Sequence, residues 1–285
     1  MKRTYYFPFL LLLVFMLPIS NNNLSLNKPI HRNTLQQENK SQTIDSADIS
    51  FGFADSSGQY LLASEINLLS ENSYYVVISS GKIFKLDFIE KRGEKKQSTG
   101  RQTAGNFNNS GGFLFKSPYI KLDPDKTYLI ASSDFLSQHS RLSIEPVPYT
   151  PLNAVNIEKI EKVKRKVIKS GWQIGKTDDG IILGLVLFQP GKDTALASLV
   201  LIKNELLIVE DYPGNLKDEY SVWRVDDNGE FSPQSINVIA LFYSPNGYEI
   251  ARTWAGEEGE NAAFLIQNGN IFRPVKEYYR YWVAE

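Results

Sequence analysis

Unbroken and alternating hydrophobic positions predict β-structure in the first half of the chain. The segment "SYYVVISSGKIFKLDFIEKRG" contains two strand-like runs that meet at a turn at Ser80–Gly81. A long polar stretch then leads to "GFLFKSPYIKLDPDKTYLIASS". It predicts two more strands around a turn at Asp123–Lys126, with proline at the second turn position. Residues 51–148 are therefore predicted to form a β domain.

One segment, "NAVNIEKIEKVKRKVIKSG", has helical periodicity. Its apolar residues fall on one side of a helix, and its glutamates precede most of its basic residues, as the helix dipole favours. Gly171 is predicted to cap the C-terminus of this helix. The predicted apolar face consists of Ile157, Ile160, Val163, Val167 and Ile168.

After Trp172 the pattern returns to β-structure. Strand-like runs are separated by short turns, and Asn-Gly pairs favour such turns because both residues accept the positive φ that tight hairpins need. The predicted turns lie at Lys203–Glu205, Asn228–Gly229, Asn246–Gly247 and Asn268–Gly269. This part of the chain predicts an antiparallel sheet or sandwich with the helix packed on one side or end.

The segment "LDPDKTYLI" resembles the strand–turn–strand corner of immunoglobulin-like and fibronectin-type sandwiches, in which a tyrosine anchors the corner. The resemblance covers these residues only, makes Tyr128 the corner tyrosine, and implies a fold class without a function. We expect a mainly β protein: an N-terminal immunoglobulin-like β-sandwich domain, one helix and a C-terminal antiparallel β domain. The predicted segments are a signal peptide or short anchor (1–20), a flexible spacer (21–50), the sandwich (51–149) and the helix with the second β domain (150–285).

The N-terminus has the layout of a secretory signal. Lys2 and Arg3 precede the apolar run Tyr5–Ile19, and a polar stretch follows. The run is shorter than the about 20 residues that span a bilayer, but Pro18–Ser20 matches the small-residue cleavage pattern poorly. A cleaved signal and an uncleaved anchor both stay open. Either one places the body outside the cytoplasm, so we expect a secreted, periplasmic or cell-surface protein.

Composition narrows the possible chemistry. The 285 residues include 31 basic and 32 acidic ones, for a formal net charge of -1, so there is no global positive field to hold nucleic acid. The absence of cysteine excludes disulfides, thiolate catalysis and sulfur-ligated metal sites. The basic segment "KVKRKVIK" raises acidic lipid or nucleic acid as partners, but its charges interleave with apolar residues and favour a solvated helix face. We expect no cofactor, no nucleic-acid partner, and membrane contact only through an uncleaved N-terminal segment.

Three local motifs match known chemistry only in part. Gly175–Thr177 has the Gly-Lys-Thr of a phosphate-binding loop, but Ser170 stands where the first glycine belongs, which favours a turn. Asp226–Glu230 has the spacing of the first ligands of a calcium loop, but its glycine is out of place, which favours a hairpin. The only histidines are His31 and His139, and the serines lack a Gly-x-Ser-x-Gly motif. The sequence therefore lacks most of the residues that histidine-based catalysis needs.

The densest group of candidate functional residues lies near the C-terminus, where "TWAGEEGEN" and "EYYRYWVAE" combine acids, an arginine and aromatic residues. Sugars bind through apolar faces stacked on Trp or Tyr and through hydrogen bonds to carboxylates and Arg. The candidate ligand-binding residues are Trp254, Glu257, Glu258, Glu260, Arg280 and Trp282. Three interpretations stay open: a solvated turn between two strands, which the exposed like charges favour, a ligand-binding loop, and a pair of catalytic acids.

These patterns favour an exported, non-catalytic binding or structural module of the cell envelope or extracellular space. Its expected partner is a carbohydrate or an envelope component. The alternative is a carboxylate-dependent hydrolase, in particular a glycoside hydrolase, because sugar cleavage needs two carboxyl groups beside the sugar. No residue is assigned a catalytic role, and no metal ligand is predicted.

Export can be tested in the native host. N-terminal sequencing should find a chain that starts near Asn21, or fractionation should pellet the intact chain with membranes, because the charged start and apolar run direct export. A soluble cytoplasmic protein that retains Met1 would contradict the prediction.

Overall fold

Strands dominate the computed structural model, which describes residues 48–66, 68, 72–124, 126–217, 231, 233–256 and 258–282. The strands are β1 (Ile49–Ala54), β2 (Tyr60–Ala63), β3 (Tyr74–Val77), β4 (Ile83–Arg92), β5 (Gly112–Lys116), β6 (Thr127–Ser132), β7 (Ser140–Leu142), β8 (Glu145–Pro151), β9 (Ile168–Lys176), β10 (Ile182–Phe188), β11 (Thr194–Lys203), β12 (Leu206–Asn215), β13 (Ile236–Ser244), β14 (Gly247–Ala255), β15 (Gly259–Asn268) and β16 (Ile271–Tyr281). The α-helices are α1 (Ser133–Gln138) and α2 (Ala154–Lys164). The prediction of a mainly β protein is confirmed.

The first six strands form a closed antiparallel barrel in the order β1-β2-β5-β4-β3-β6. β1 pairs with both β2 and β6, so this sheet closes on itself without an exposed edge. The sequence predicted a sandwich of two facing sheets for this region. β3–β6 lie in the segments predicted to form strands, and pairing between β1 and β6 joins all six strands into a single closed sheet.

The predicted tyrosine corner is present in this barrel. The Tyr128 hydroxyl accepts a hydrogen bond from the backbone N–H of Asp123 at 2.8 Å, across the turn that precedes β6. Burial raises the pKa of the Tyr128 phenol. The bond runs from the tyrosine back to the chain a few residues upstream, as in sandwich domains. The corner therefore fixes a local turn without deciding whether the sheet closes.

The remaining strands form one ten-stranded sheet in the order β7-β13-β14-β15-β16-β12-β11-β10-β9-β8. Neighbouring strands are antiparallel except β12 and β16, which meet in parallel at Val209 and Ile271. The predicted hairpin turns between β11 and β12, β13 and β14, and β15 and β16 are confirmed. Asn204, Gly247 and Gly269 adopt the positive φ of 50°, 112° and 62° at these turns. The predicted turn at Asn228–Gly229 lies outside the described residues.

The ten-stranded sheet curls so that its two halves pack face to face. Leu185 and Leu201, from β10 and β11, share a buried cluster with Ile250 and Leu265, from β14 and β15. We call this side of the sheet its inner face. Its apolar cluster is the main core of the sheet.

The outer face of β13–β15 packs against the barrel. Phe51 and Leu129 of the barrel lie in one buried cluster with Phe242 and Phe264 of the sheet. Phe135 of α1 packs edge-on against both of these sheet residues, with ring centroids 5.4 and 5.6 Å apart. The strands β13–β15 are thus largely buried on both faces. This accounts for their near-continuous apolar runs, since a two-sided strand has no face to expose to water.

The predicted helix forms but is shorter than expected. α2 ends at Lys164 because Arg165 adopts the left-handed conformation at φ 53°. Beyond this point, the N–H of Ile168 donates to the Glu161 carboxylate at 2.7 Å. Gly171 is therefore not the helix cap; it lies in β9 and pairs with Val186 of β10. Strand pairing has overridden the helical periodicity of residues 165–171.

The apolar face predicted for this helix is only half buried. Ile160 is fully buried in a cluster with side chains of β10–β12, and Ile157 packs against that cluster. Val163 and Val167 are instead 54% and 62% exposed, so they do not pack with the rest of the predicted apolar face. The helix ends before Val167, so the predicted spacing no longer places that side chain over the sheet.

Strand β8 crosses the predicted boundary between residues 149 and 150 and pairs with β9. The boundary itself stays a prediction. The segments 1–20 and 21–50 also stay predictions, because residues 1–47 lie outside the described part of the chain. Among the residues that the structure describes, no helix combines the length and apolar character that crossing a bilayer requires.

Replacing Phe242 with alanine should reduce the free energy of unfolding by about 3–5 kcal/mol, because it removes a fully buried ring between the barrel and the sheet. Chemical denaturation monitored by circular dichroism measures this change. The matched control is Tyr243→Ala, the next residue along β13, whose side chain is 49% exposed and should cost about 1 kcal/mol or less. Equal losses for both variants would show that Phe242 is not part of a shared core.

Candidate functional site

The glutamate-rich segment near the C-terminus forms the hairpin connection between β14 and β15. The N–H of Gly256 donates to the carbonyl of Gly259 at 2.6 Å, and the N–H of Trp282 donates to the carbonyl of Glu258 at 2.6 Å. The side chain of Glu258 is exposed, whereas Glu257 lies outside the described residues. The interpretation of this segment as a turn between two strands is confirmed for the described positions.

Glu260 belongs to a strand and is buried beside Arg280. The two residues are cross-strand partners in β15 and β16, with 3.5 Å between Arg280 Nη1 and Glu260 Oε1. Thr127 of the barrel joins them: its hydroxyl donates to Glu260 and accepts from Arg280 Nη1 at 3.1 Å. Glu260 and Arg280 are only 8% and 3% exposed. This group therefore holds the barrel to the sheet and is closed to a large ligand.

Aromatic rings complete the surroundings of this ion pair. The Arg280 guanidinium lies 4.7 Å from the centroid of the Trp282 ring and 5.7 Å from that of Phe53, distances at which a cation is attracted to a ring. Nearby, Tyr278 stacks on Phe51. Burial raises the pKa of Tyr278, the charge of Arg280 opposes that change, and the charge of Glu260 adds to it. The phenol therefore stays neutral and acts as part of the packing.

Trp254 lies on the opposite face of the sheet from Glu260 and Arg280. Its cross-strand partner is Asn261, whereas the partner of Glu260 is Ala255, and successive side chains of a strand point to opposite faces. Trp254 packs against the inner cluster and meets the Tyr212 ring at a centroid distance of 4.7 Å. The structure thus brings Glu260, Arg280 and Trp282 together and separates Trp254 from them.

A row of three side chains crosses the inner face where β14, β15 and β16 lie side by side. Trp254 pairs with Asn261, and Asn261 pairs with Tyr279. Two strand spacings place the ends of this row about 10 Å apart. Tyr279 is 56% exposed, and Trp254 and Asn261 are partly exposed. We call Trp254, Asn261 and Tyr279 the inner row.

Gly259 leaves room for the tyrosine of this row. A Cβ at this position would lie 3.0 Å from the Tyr279 hydroxyl and 2.3 Å from the carbonyl oxygen of Arg280. The second separation is shorter than any ordinary contact, so only glycine allows β16 to approach β15 this closely.

A hydrogen-bonded network lies directly beside the inner row. Arg252 donates to both carboxylate oxygens of Glu210, at 2.5 and 3.2 Å, and to the side-chain oxygen of Asn261 at 2.5 Å. The Tyr212 hydroxyl donates to Glu210 at 2.5 Å, and Asn261 Nδ2 donates to Glu277 at 3.5 Å. We call Glu210, Tyr212, Arg252, Asn261 and Glu277 the Arg252 network. It runs from the buried inner cluster to the exposed side chain of Glu277.

The charges of this network are fixed by burial and by their partners. Burial lowers the pKa of Arg252, but the hydrogen bonds and charge of Glu210 outweigh it, so the pKa of Arg252 lies above its ordinary value. Burial raises the pKa of Tyr212 well above that of a free phenol, and the charge of Glu210 adds to this effect. Arg252 therefore stays charged and Tyr212 stays a hydrogen-bond donor, which holds Asn261 in one orientation.

Sequence reasoning identified one end of this arrangement and missed the rest. Trp254 was a candidate because it precedes the glutamate-rich turn, but Glu210 and Tyr212 lie on β12, far away in the chain. The available signal was Arg252 itself, a charged residue within the apolar strand "GYEIARTWA". Such a charge is rarely buried unless it is paired, so it indicates an unseen partner.

His139 has a structural partner that the sequence did not suggest. Its Nδ1 lies 2.5 Å from the carboxylate of Glu249, which also accepts a hydrogen bond from the Ser244 hydroxyl at 2.7 Å. The imidazole stacks on Phe135 with a centroid distance of 3.9 Å. Because the serine is bonded to the glutamate and not to the histidine, these residues do not form a nucleophile–base pair.

The other motifs have structural roles where they are described. The hydroxyl of Thr177 accepts from the N–H of Ile181 at 3.0 Å and bonds the carboxylate of Asp179 at 2.5 Å, which closes the turn predicted there. The calcium-like segment Asp226–Glu230 lies outside the described residues. Within the described ranges, no group of three or more His, Asp and Glu side chains is placed to hold a metal ion.

Two clefts lie between the barrel and the sheet. One, of about 420 Å³, is lined by residues of β1, β2 and β16, including Phe53, Glu65 and Tyr278. The other, of about 410 Å³, is lined by residues that precede and begin β6 and by β13, including Lys126 and Val238. Both adjoin the ion pair of Glu260 and Arg280, since Phe53 lines the first cleft and Thr127 the second.

No family model, curated protein or solved structure matches this chain. Its function is therefore inferred from the chemistry of the inner row and of the Arg252 network.

Replacing Glu260 with glutamine should reduce the free energy of unfolding by about 3–5 kcal/mol, because it leaves the buried charge of Arg280 without a counter-charge. Adding Arg280→Met should restore part of this loss, since the unpaired charge is then removed. Denaturant unfolding of the single and double variants measures both effects.

The control is Glu258→Gln, two residues earlier in the exposed turn, which should change the free energy by no more than about 0.5 kcal/mol. A loss in Glu260→Gln no larger than that of the control would show that the ion pair does not hold the barrel to the sheet.

Proposed function

We propose that this protein is an exported, non-catalytic binding module whose ligand is a carbohydrate of the cell envelope or extracellular space. The observation that carries the proposal is the inner row, in which Trp254 and Tyr279 flank Asn261 on one face of the sheet. Two aromatic side chains about 10 Å apart, with an amide between them, suit a ligand that alternates apolar ring faces with hydroxyl groups. The secretory layout of residues 1–20 supports the export part of the proposal.

The Arg252 network supplies the polar half of such a site. Asn261 is held by Arg252 at 2.5 Å and also donates to Glu277, whose carboxylate is exposed. A side chain whose hydrogen-bond partners fix its orientation loses little entropy when a ligand binds. Asn261 and Glu277 then offer acceptors and donors to sugar hydroxyls between the two rings.

Binding without cleavage is favoured by the state of the carboxylates. Glu210 accepts hydrogen bonds from Arg252 and Tyr212. Glu260 pairs with Arg280 and accepts a hydrogen bond from Thr127. Glycoside cleavage needs one carboxyl that is desolvated and free to give its proton to the leaving group. Glu277, whose carboxylate accepts a hydrogen bond from Asn261, is exposed to water. None of these three described carboxylates meets that requirement, so binding without cleavage is the function we propose.

Replacing Tyr279 with alanine should weaken carbohydrate binding by roughly tenfold while leaving the melting temperature unchanged, because the ring is more than half exposed and stacks on the ligand. Glu277→Gln should weaken binding to a smaller extent. A glycan array identifies the ligand with the wild-type chain, and calorimetry then compares the variants on it.

The matched control is Tyr119→Ala, which removes a tyrosine that is 69% exposed in the loop between β5 and β6. It should bind like the wild type. The proposal fails if the wild type binds no glycan, if Tyr279→Ala and Tyr119→Ala bind equally, or if the bound glycan is hydrolysed.

A further inference from the structure

α2 and the segment that follows it to Lys169 expose apolar side chains beside basic ones, and we call this exposed side the outer face of α2. Val155 is 71% exposed, and Val163 and Val167 are 54% and 62% exposed. Valine is among the residues most often buried in folded proteins. The exposed bases of the same surface are Lys162, Arg165, Lys166 and Lys169.

The helix directs its basic residues to two sides. Lys164 pairs with Asp211 of β12 at 2.5 Å, and Lys159 pairs with Glu205 of the β11–β12 turn at 3.3 Å, so these two lysines hold α2 on the sheet. The acids of the helix are Glu158, which is exposed, and Glu161, whose carboxylate accepts the N–H of Ile168. The outer face therefore keeps an excess of positive charge.

The segment after α2 is fixed to the sheet by a backbone hydrogen bond. The carbonyl of Val167 accepts a hydrogen bond from the N–H of Gln189 at 2.8 Å, at the end of β10. Arg165 ends the helix in the left-handed conformation and turns the chain back to the sheet. The exposed valines and bases thus belong to a preformed surface with little conformational freedom to lose on binding.

We propose that the outer face of α2 docks on a lipid bilayer that contains anionic phospholipids. Basic side chains are attracted to the negative surface potential of such a bilayer, and apolar side chains between them enter its headgroup boundary. Exposed valines beside these bases favour a bilayer over nucleic acid, whose phosphates are bound mainly by basic and hydroxyl side chains. This contact is additional to any contact of the N-terminal segment and independent of the proposed carbohydrate binding.

The predicted apolar run Tyr5–Ile19 fits this arrangement. Where the run stays in the membrane, the rest of the chain is tethered to the bilayer. Tethering raises the effective concentration of a weak surface next to its partner without any new contact. A helix face with modest affinity is then enough to orient the body on the membrane.

Vesicle sedimentation of the full chain tests the proposal. Any contact of the N-terminal segment is common to all variants, so the quantity to compare between them is the preference for phosphatidylcholine vesicles containing phosphatidylglycerol over pure phosphatidylcholine vesicles. We expect the full chain to prefer the anionic vesicles by at least about tenfold at low salt. The preference should fall as salt rises, because counter-ions screen exposed charges.

The decisive variant is Lys162→Glu with Lys166→Glu, which should abolish this preference. The matched control is Lys95→Glu with Lys96→Glu, two exposed lysines of the β4–β5 loop that give the same net charge. It should keep the preference. Circular dichroism and melting temperatures confirm that both double variants fold. Val163→Ser with Val167→Ser should weaken anionic vesicle binding even at high salt.

Three results would overturn the proposal. The first is a wild type that shows no preference between the two vesicle types. The second is an equal loss of preference in the two double lysine variants, which would mean that net charge alone causes it. In the third, the full chain would bind duplex DNA through Lys162 and Lys166 while remaining indifferent to vesicle composition.

Discussion

Burial of β13–β15 on both faces is the constraint on which the rest of the structure depends. One face packs on the barrel through Phe242 and Phe264, and the other packs inside the curled sheet through Ile250 and Leu265. In the middle of such a strand, a charged side chain cannot reach water. Each charged residue on it must therefore find a partner on a neighbouring element, because an unpaired buried charge costs several kcal/mol.

The three charged residues of these strands show how that requirement organises the molecule. Glu249 pairs with His139, which follows α1. Glu260 pairs with Arg280 and Thr127. Both groups join the sheet to elements that pack on its outer face. Arg252 instead lies on the inner face and pairs with Glu210. The inward group continues through Asn261 to the exposed side chain of Glu277, which is why the candidate site lies on the inner face although the acidic sequence signal lies in the turn beside it.

Local features were predictable from the sequence, and long-range ones were not. The Asn-Gly turns and the Tyr128 corner were identified because each depends on a few adjacent residues. The end of α2 was misplaced because pairing of Gly171 with β10, a tertiary effect, overrode a locally helical pattern. Trp254 and Glu260 are close in the chain but lie on opposite faces, and that depends on the register and on the length of the turn. The partners of Arg252 and Glu260 lie on distant strands, which no local pattern reveals.

The position of Arg280 on the last described strand also governs when the protein can become native. Its partner Thr127 is 153 residues earlier in the chain, and Tyr281 binds Gln102, which is 179 residues earlier. Contacts of such sequence separation form slowly because a long loop must close before they contribute stability. During synthesis the barrel strands emerge long before β16, so the barrel–sheet interface stays open until almost all of the described chain has been made. The interface between the barrel and the sheet is therefore among the last parts of the described structure to form.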